Sequence, residues 1–431
     1  MGNSITVSSS NREKLLRYAN ELLQELGLNE KGEITTKGVL FPADVRLRII
    51  ASLLDLKPAK GDYFVTSLLV GTLFDLRRGG ITSVDWPTVE RALADQLDKQ
   101  AQTLSVPYRI LFPLNATGAW ISELKSVTVL GHKFKKLSWG QVRNFSGWRD
   151  FLDSVAQHTG PQPAEHWDLS LALNFTPLIV DIQGHNRSEA FEEANTRFDL
   201  LRAIINLVTR RGISLQFGTK PSPLGRCLPP LYYSVFKLNG AFEIHAYNSE
   251  DYRSYPNNDL GIEHGKSIRK LLANLHLMNE DIRELTTDIL IKYSRAVDTA
   301  EWHSAFLNLW QILETFVRPF GEKGALKNVS PGINAFLGND QLRQDVLEAM
   351  ETSRHNLVHY GNFSTAGSTE VSYLKRIVET VIGKLLKNPR MFRSRHELRE
   401  FLQHVSLGPS VLRTRRRVIS RILDTRPKKR P

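Results

Sequence analysis

From residue 264 to residue 387, apolar side chains recur at three- and four-residue spacing almost without a break, which narrows what the last third of this chain can fold into. The runs cover 264–277, 279–297, 301–318, 341–359 and 370–387, and Gly321 to Gly338 forms a looser insert between the third and fourth. A helical stripe of this kind must bury itself against another, and short connections make consecutive helices antiparallel. An up-and-down bundle over 260–390 is expected.

The 431-residue chain is long for one core. Residues 1–107 also carry helical spacing. Asn11 is expected to cap a helix through Leu23, and further runs follow at Asp44–Leu56 and Phe64–Leu76. A fourth helix starts at Trp86-Pro87, where proline suits the first turn. Between residues 108 and 250 the texture changes. Arg109–Phe112, Ser126–Leu130 and the run from Leu169 to Ile182 are β-rich, while Ser146–His158 and Ser188–Arg210 are expected to be helical, the latter amphipathic. Asn239-Gly240 between two β-rich runs is a strong hairpin signal. Residues 248–258 are polar and suit a linker. The expected fold class is therefore α+β and predominantly helical: an N-terminal helical region, a mixed α/β module at 108–250, a helical bundle at 260–390 and a basic tail at 391–431.

Composition removes several classes of function. No stretch approaches the roughly 18 consecutive apolar residues of a membrane span, so no membrane partner is expected. The first residues lack the apolar centre of a secretory signal, although Gly2 and Thr6 fit the short myristoylation pattern. One cysteine, Cys227, excludes an internal disulfide and a cysteine-based zinc site, and it suits a cytoplasmic location. The net charge of +12 is concentrated at one end: from Arg390 onward there are thirteen Arg or Lys against three Asp or Glu.

Chemistry concentrates near the end of the 341–359 run, in Arg354-His355-Asn356-Leu357-Val358-His359. At about 100° per residue, His355 and His359 lie roughly 40° apart and share a helix face, with Asn356 about 60° from His359. Arg354 is roughly 140° from His359, which favours a site shared between two helices over one built on a single helix. These residue types suit metal-free cleavage of RNA. Imidazole can take a proton from the attacking 2′-hydroxyl or give one to the departing 5′-oxygen, and a guanidinium stabilises the charge that builds on the phosphorane. Asn356 can hold an imidazole tautomer or a phosphate oxygen. No metal and no cofactor is needed.

Residues 279 to about 388 resemble the HEPN domain. The family's ribonuclease motif is an arginine, a polar residue, three variable residues and a histidine, and Arg354 to His359 match it position by position. Ser353 to Gly361 resembles the domain's later helix, and Ala305 to Glu314 resembles its long first helices. The resemblance implies a four- to five-helix bundle that dimerises and brings two motifs into one cleft. It further implies a metal-independent endoribonuclease, acting by transesterification, of the kind found in toxin–antitoxin and anti-phage systems. His359 would be the general acid/base, Arg354 the phosphate binder and His355 the polar second position. Tyr360 is adjacent to the histidine, whereas members regulated through a modifiable tyrosine carry it one place later, so that regulation is not implied. A phage-derived or protein trigger acting through the first 260 residues is the expected control.

Other candidates are weaker. Glu301 and His303 suit a helix start, and Glu314 could orient a catalytic side chain. Asp181 and His185 end a strand, and Gly321 to Lys327 lacks the ending of a phosphate loop. Arg413, Arg415, Arg416, Arg417 and Arg421 are expected to contact nucleic acid, alongside an apolar stripe of Val411, Leu412, Val418, Ile419, Ile422 and Leu423. The leading expectation is a dimeric, cytoplasmic HEPN-type endoribonuclease acting on RNA. The alternatives are a HEPN-like module that binds RNA or protein without cutting, and a structural nucleic-acid-packaging protein.

Overall fold

A computed structural model describes residues 4–28, 34–36, 45–57, 62–102, 105–122, 126–158, 175–209, 223–230, 232–247, 258–317, 329–360, 367–404 and 409–425. The expected linker at 248–257, the loop at Gly321 to Lys327 and the basic residues from Arg426 onward lie outside these.

In the first hundred residues α1 (Ser9–Glu25), α2 (Val45–Leu53), α3 (Asp62–Arg78) and α4 (Trp86–Gln102) turn Leu15, Leu22, Leu47, Leu68 and Leu93 onto one buried cluster. Helix α1 starts two residues before the expected Asn11 cap, because the extended Ser8 presents its carbonyl to the N–H groups of Asn11 and Arg12. Short strands also occur here: β1 (Ser4–Thr6) pairs with β4 (Asp55–Lys57), and β2 (Leu26–Leu28) pairs with β3 (Ile34–Thr36).

The middle of the chain is one six-stranded antiparallel sheet. Its strands are β5 (Val106–Leu114), β7 (Ser126–Val129), β8 (His132–Lys136), β9 (Thr176–Gly184), β10 (Tyr232–Lys237) and β11 (Phe242–Tyr247), in the order β11-β10-β5-β9-β8-β7. Between β5 and β7 the short β6 (Ala116–Thr117) pairs in parallel with β12 (Asn258–Asp259), and the one-turn helix α5 (Ala119–Ser122) follows it. The Asn239-Gly240 turn falls where expected, with Gly240 at φ 89°. The turn joining β7 to β8 is Leu130-Gly131, and it holds Leu130 at φ 43°. A branched aliphatic residue in the left-handed region costs about 1 kcal/mol. One sheet face packs Leu111, Ile179 and Phe236 against α6 (Trp139–Arg143) and α7 (Trp148–His158) through Val142, Trp148 and Phe151.

The other face meets α8 (Arg187–Thr209). This helix was expected to be amphipathic, but residues from Phe198 to Leu207 are buried on every side. The reason is its position: it lies between the sheet, where Phe198 stacks on Phe112 with ring centroids 4.4 Å apart, and the helices that follow. Those helices are α9 (Ile262–His276), α10 (Glu280–Asp298), α11 (Trp302–Val317), α12 (Val329–Leu337), α13 (Gln341–Tyr360), α14 (Gly367–Lys387) and α15 (Arg395–His404). Helix α12 falls in the segment expected to be a loose insert, and it packs through Val329, Ile333 and Phe336. Helix α15 lies in the segment set aside as tail, yet buries Leu398 and Leu402. The class is thus mixed α+β, mostly helical with a small antiparallel sheet, and one buried cluster runs from Tyr108 to Leu402.

Two polar networks cross this cluster. Arg202 on α8 reaches Asp298 at the end of α10, and Asn206 holds the chain at Arg226 and Cys227. Tyr293 donates to Glu379, which also pairs with Lys375, tying α10 to α14. Cys227 is buried, and burial pushes its thiol up to about 12 while Arg202 works against the shift, so it is an inert core residue.

Candidate active site on helix α13

Helix α13 starts where Gly338 and Asn339, both at positive φ, turn the chain and the Asp340 carboxylate accepts the Arg343 N–H. Leu347 and Met350 are its contribution to the buried core, with Val346 and Leu357 partly covered. The opposite side faces solvent, where Gln341–Asp345 and Gln344–Glu348 form four-apart pairs. The motif occupies the last two turns of this outlying helix.

The structure divides the motif between two faces. His355 and His359 are exposed and lie side by side, their ring centroids 4.4 Å apart and tilted by 46°. Asn356 is exposed beside them. Arg354 turns toward the bundle, where its Nη2 meets Glu314 Oε1 on α11 at 3.4 Å. The same carboxylate oxygen accepts the Trp310 Nε1–H at 3.0 Å. Trp310 is buried and precedes Glu314 by one helical turn, so α11 supplies a fixed acceptor for the arginine. Glu314 is therefore the positioning carboxylate for Arg354. Its spacing in the sequence marked it only as one candidate, because nothing local to residue 314 says that residue 354 will lie opposite. A guanidinium has five N–H donors, and an ion pair with one carboxylate oxygen leaves donors for a phosphate.

Beside His355 is a shallow groove of about 360 Å³ lined by Glu348, Glu351, Thr352 and His355. Glu351 is drawn inward by the Ser330 hydroxyl on α12, at 2.7 Å. Among the described residues no group of three or more His, Cys, Asp or Glu side chains could hold a metal ion.

The remaining candidates fall elsewhere. Glu301 accepts the Ser304 N–H and lies 3.0 Å from His303, a helix-start arrangement at α11. Asp181 in β9 accepts two N–H groups of Arg109, its register partner in the adjacent central strand β5, and the His185 N–H goes to Glu189 at the start of α8, so one serves strand pairing and the other a helix start. The tail residues form α16 (Pro409–Thr425), on which Arg413, Arg415, Arg416, Arg417 and Arg421 are all exposed. Val411, Leu412, Val418 and Ile419 are exposed with them. Arg415 reaches back to the His404 ring at 2.8 Å, which sets α16 against α15. The described residues include no helix long and apolar enough to cross a membrane.

No protein-family model, no curated protein and no solved structure matches this chain.

Proposed function

We propose that the chain is a metal-independent endoribonuclease of HEPN type whose site is completed when two copies of α13 face each other. The observation that carries this reading is the division of the motif: an imidazole pair open to solvent, and an arginine anchored by a carboxylate one helix away. An outlying helix whose solvent face includes the half-exposed Val358 beside His359 suits contact with a second copy across a two-fold axis. In such a dimer the arginine of one copy can serve the histidine of the other, which meets the roughly 140° separation along a single helix.

The proposed reaction is transesterification. An RNA 2′-hydroxyl loses its proton to a base and its oxygen attacks the adjacent phosphorus. The P–O5′ bond breaks and the departing oxygen takes up a proton, giving a 2′,3′-cyclic phosphate and a 5′-hydroxyl. His359 transfers the proton, Arg354 stabilises the charge on the phosphorane, His355 supports phosphate or proton transfer, and Asn356 orients the imidazole. The arginines of α16 supply sequence-independent attraction for the RNA backbone. Anti-phage defence or toxin action, with a trigger read by the first 260 residues and a cytoplasmic location, completes this reading.

A binding-only role is favoured by one observation, the two carboxylates of Glu348 and Glu351 beside His355, which repel a phosphate backbone. The test is to incubate purified full-length protein, and its Arg354→Ala/His359→Ala variant, with mixed RNA in EDTA. Cleavage by the wild type alone, leaving cyclic-phosphate ends, supports the nuclease. Equal cleavage by both proteins, or by neither, favours the binding module.

A further inference from the structure

A second open groove, of about 560 Å³, lies between the tip of the β7–β8 hairpin and helices α8, α9 and α10. It shares no residue with α13. Its lining takes Leu130 from the hairpin tip, the exposed His276 from the end of α9, and Arg283, Thr287 and Ile291, which recur at four-residue spacing along one face of α10.

The charges of this groove are uneven once the existing pairs are set aside. Glu284 is engaged by Arg395, Asp288 by Lys292, and Arg197 by Glu193. Among the described residues the half-buried Arg283 has no carboxylate partner, and His276 has none either. Thr287, one turn beyond Arg283, has a buried hydroxyl that makes no hydrogen bond among the described residues. Helical threonines elsewhere in the bundle, such as Thr286, Thr315 and Thr380, return the hydroxyl to the carbonyl four residues back. An orphan hydroxyl beside an uncompensated guanidinium is an incomplete anion site.

The hairpin tip points the same way. A two-residue turn of this type favours Asn-Gly, yet here a leucine is held at φ 43°. Packing of Leu130 against the core offsets this strain, and the same side chain lines the groove. A guanidinium and a hydroxyl one helical turn apart, with an imidazole in the same lining, suit a tetrahedral phosphate, and two aliphatic side chains suit the face of a planar ring. The volume falls in the range of small-molecule sites.

We infer that this groove binds a nucleoside monophosphate, with the phosphate on Arg283, Thr287 and His276 and the base against Leu130 and Ile291. The test is calorimetric titration of the full-length protein with AMP, CMP, GMP and UMP, alongside adenosine and inorganic phosphate. At least one monophosphate should bind one per chain, roughly ten-fold or more tightly than either fragment. Arg283→Ala should weaken it by about ten-fold or more and leave adenosine unchanged. Thr287→Val is isosteric and removes an unsatisfied hydroxyl, so it should raise thermal stability while weakening the nucleotide. Leu130→Asn removes the aliphatic contact and should weaken the nucleotide as well. Absence of binding by all four monophosphates at millimolar concentration overturns the inference. So does undiminished affinity in Arg283→Ala or Thr287→Val.

Discussion

Replacing Arg202 with methionine tests the packing of the sheet layer onto the bundle. The side chain is 2% exposed. Its Nη1 donates to both oxygens of Asp298, at 2.8 and 2.9 Å, and its Nη2 donates to Asp298 at 2.9 Å and to Asp199 at 2.6 Å. Burial alone would lower the guanidinium's proton affinity, but Asp298 and Asp199 more than reverse this, so Arg202 stays charged. Methionine keeps most of the volume and strands a buried carboxylate, which costs about 3–5 kcal/mol. With a urea dependence of about 3 kcal/mol per molar, the midpoint should fall by roughly 1 to 1.7 M. Tryptophan fluorescence over a urea series reads it directly. The loss should also depend on pH. Burial raises the Asp298 carboxyl to about 6, with Arg202 the main opposing influence, and removing Arg202 lets it rise further. Asp298 then holds a proton in the native state that the unfolded chain, near 3.9, has already lost. Its raised folded value favours the native state at low pH, and that contribution fades as pH rises through the folded value. The mutational loss should therefore be smaller at pH 5 than at pH 8, and Arg202→Met/Asp298→Leu should be less damaging at pH 8 than Arg202→Met alone. A loss below about 1 kcal/mol, or one independent of pH, refutes the reasoning.

Glu314→Gln keeps an acceptor for Trp310 and removes the charge that holds Arg354. RNA cleavage should fall about ten-fold, while melting temperature moves by only about 1–2 °C because the ion pair is partly exposed. Deleting residues 409–431 should weaken RNA binding and flatten its salt dependence by up to about 6 in log–log slope, at roughly 0.7 for each of the nine Arg and Lys removed, on single-stranded RNA. An unchanged slope removes α16 from the RNA path.

The helices were legible because their stripes are local: α9, α10, α11, α13 and α14 each begin and end within about three residues of the expected bounds. What was hidden depends on the third dimension. Asp199, Arg202 and Asn206 recur along helix α8 as a polar face would, yet those side chains are buried and find partners up to 96 residues away. Leu130-Gly131 is a poor turn pair by local preference, and only the packing of Leu130 against the core explains it. The angular split between Arg354 and His359 followed from helix geometry alone. That Glu314 would receive the arginine did not, because the pairing is decided by how α11 packs against α13.

The central claim is a ribonuclease site shared by two copies of α13, and complementation between inactive variants tests it most directly. Arg354→Ala and His359→Ala should each lower cleavage at least about a hundred-fold. Mixed in equal amounts and allowed to exchange subunits, they should recover about a quarter of wild-type activity, since half of the dimers are then mixed and each mixed dimer has one intact site of two. Wild-type protein that leaves RNA uncut, or a His359→Ala variant that cuts as well as the wild type, contradicts the account. An active wild type with no recovery in the exchanged mixture contradicts the shared site.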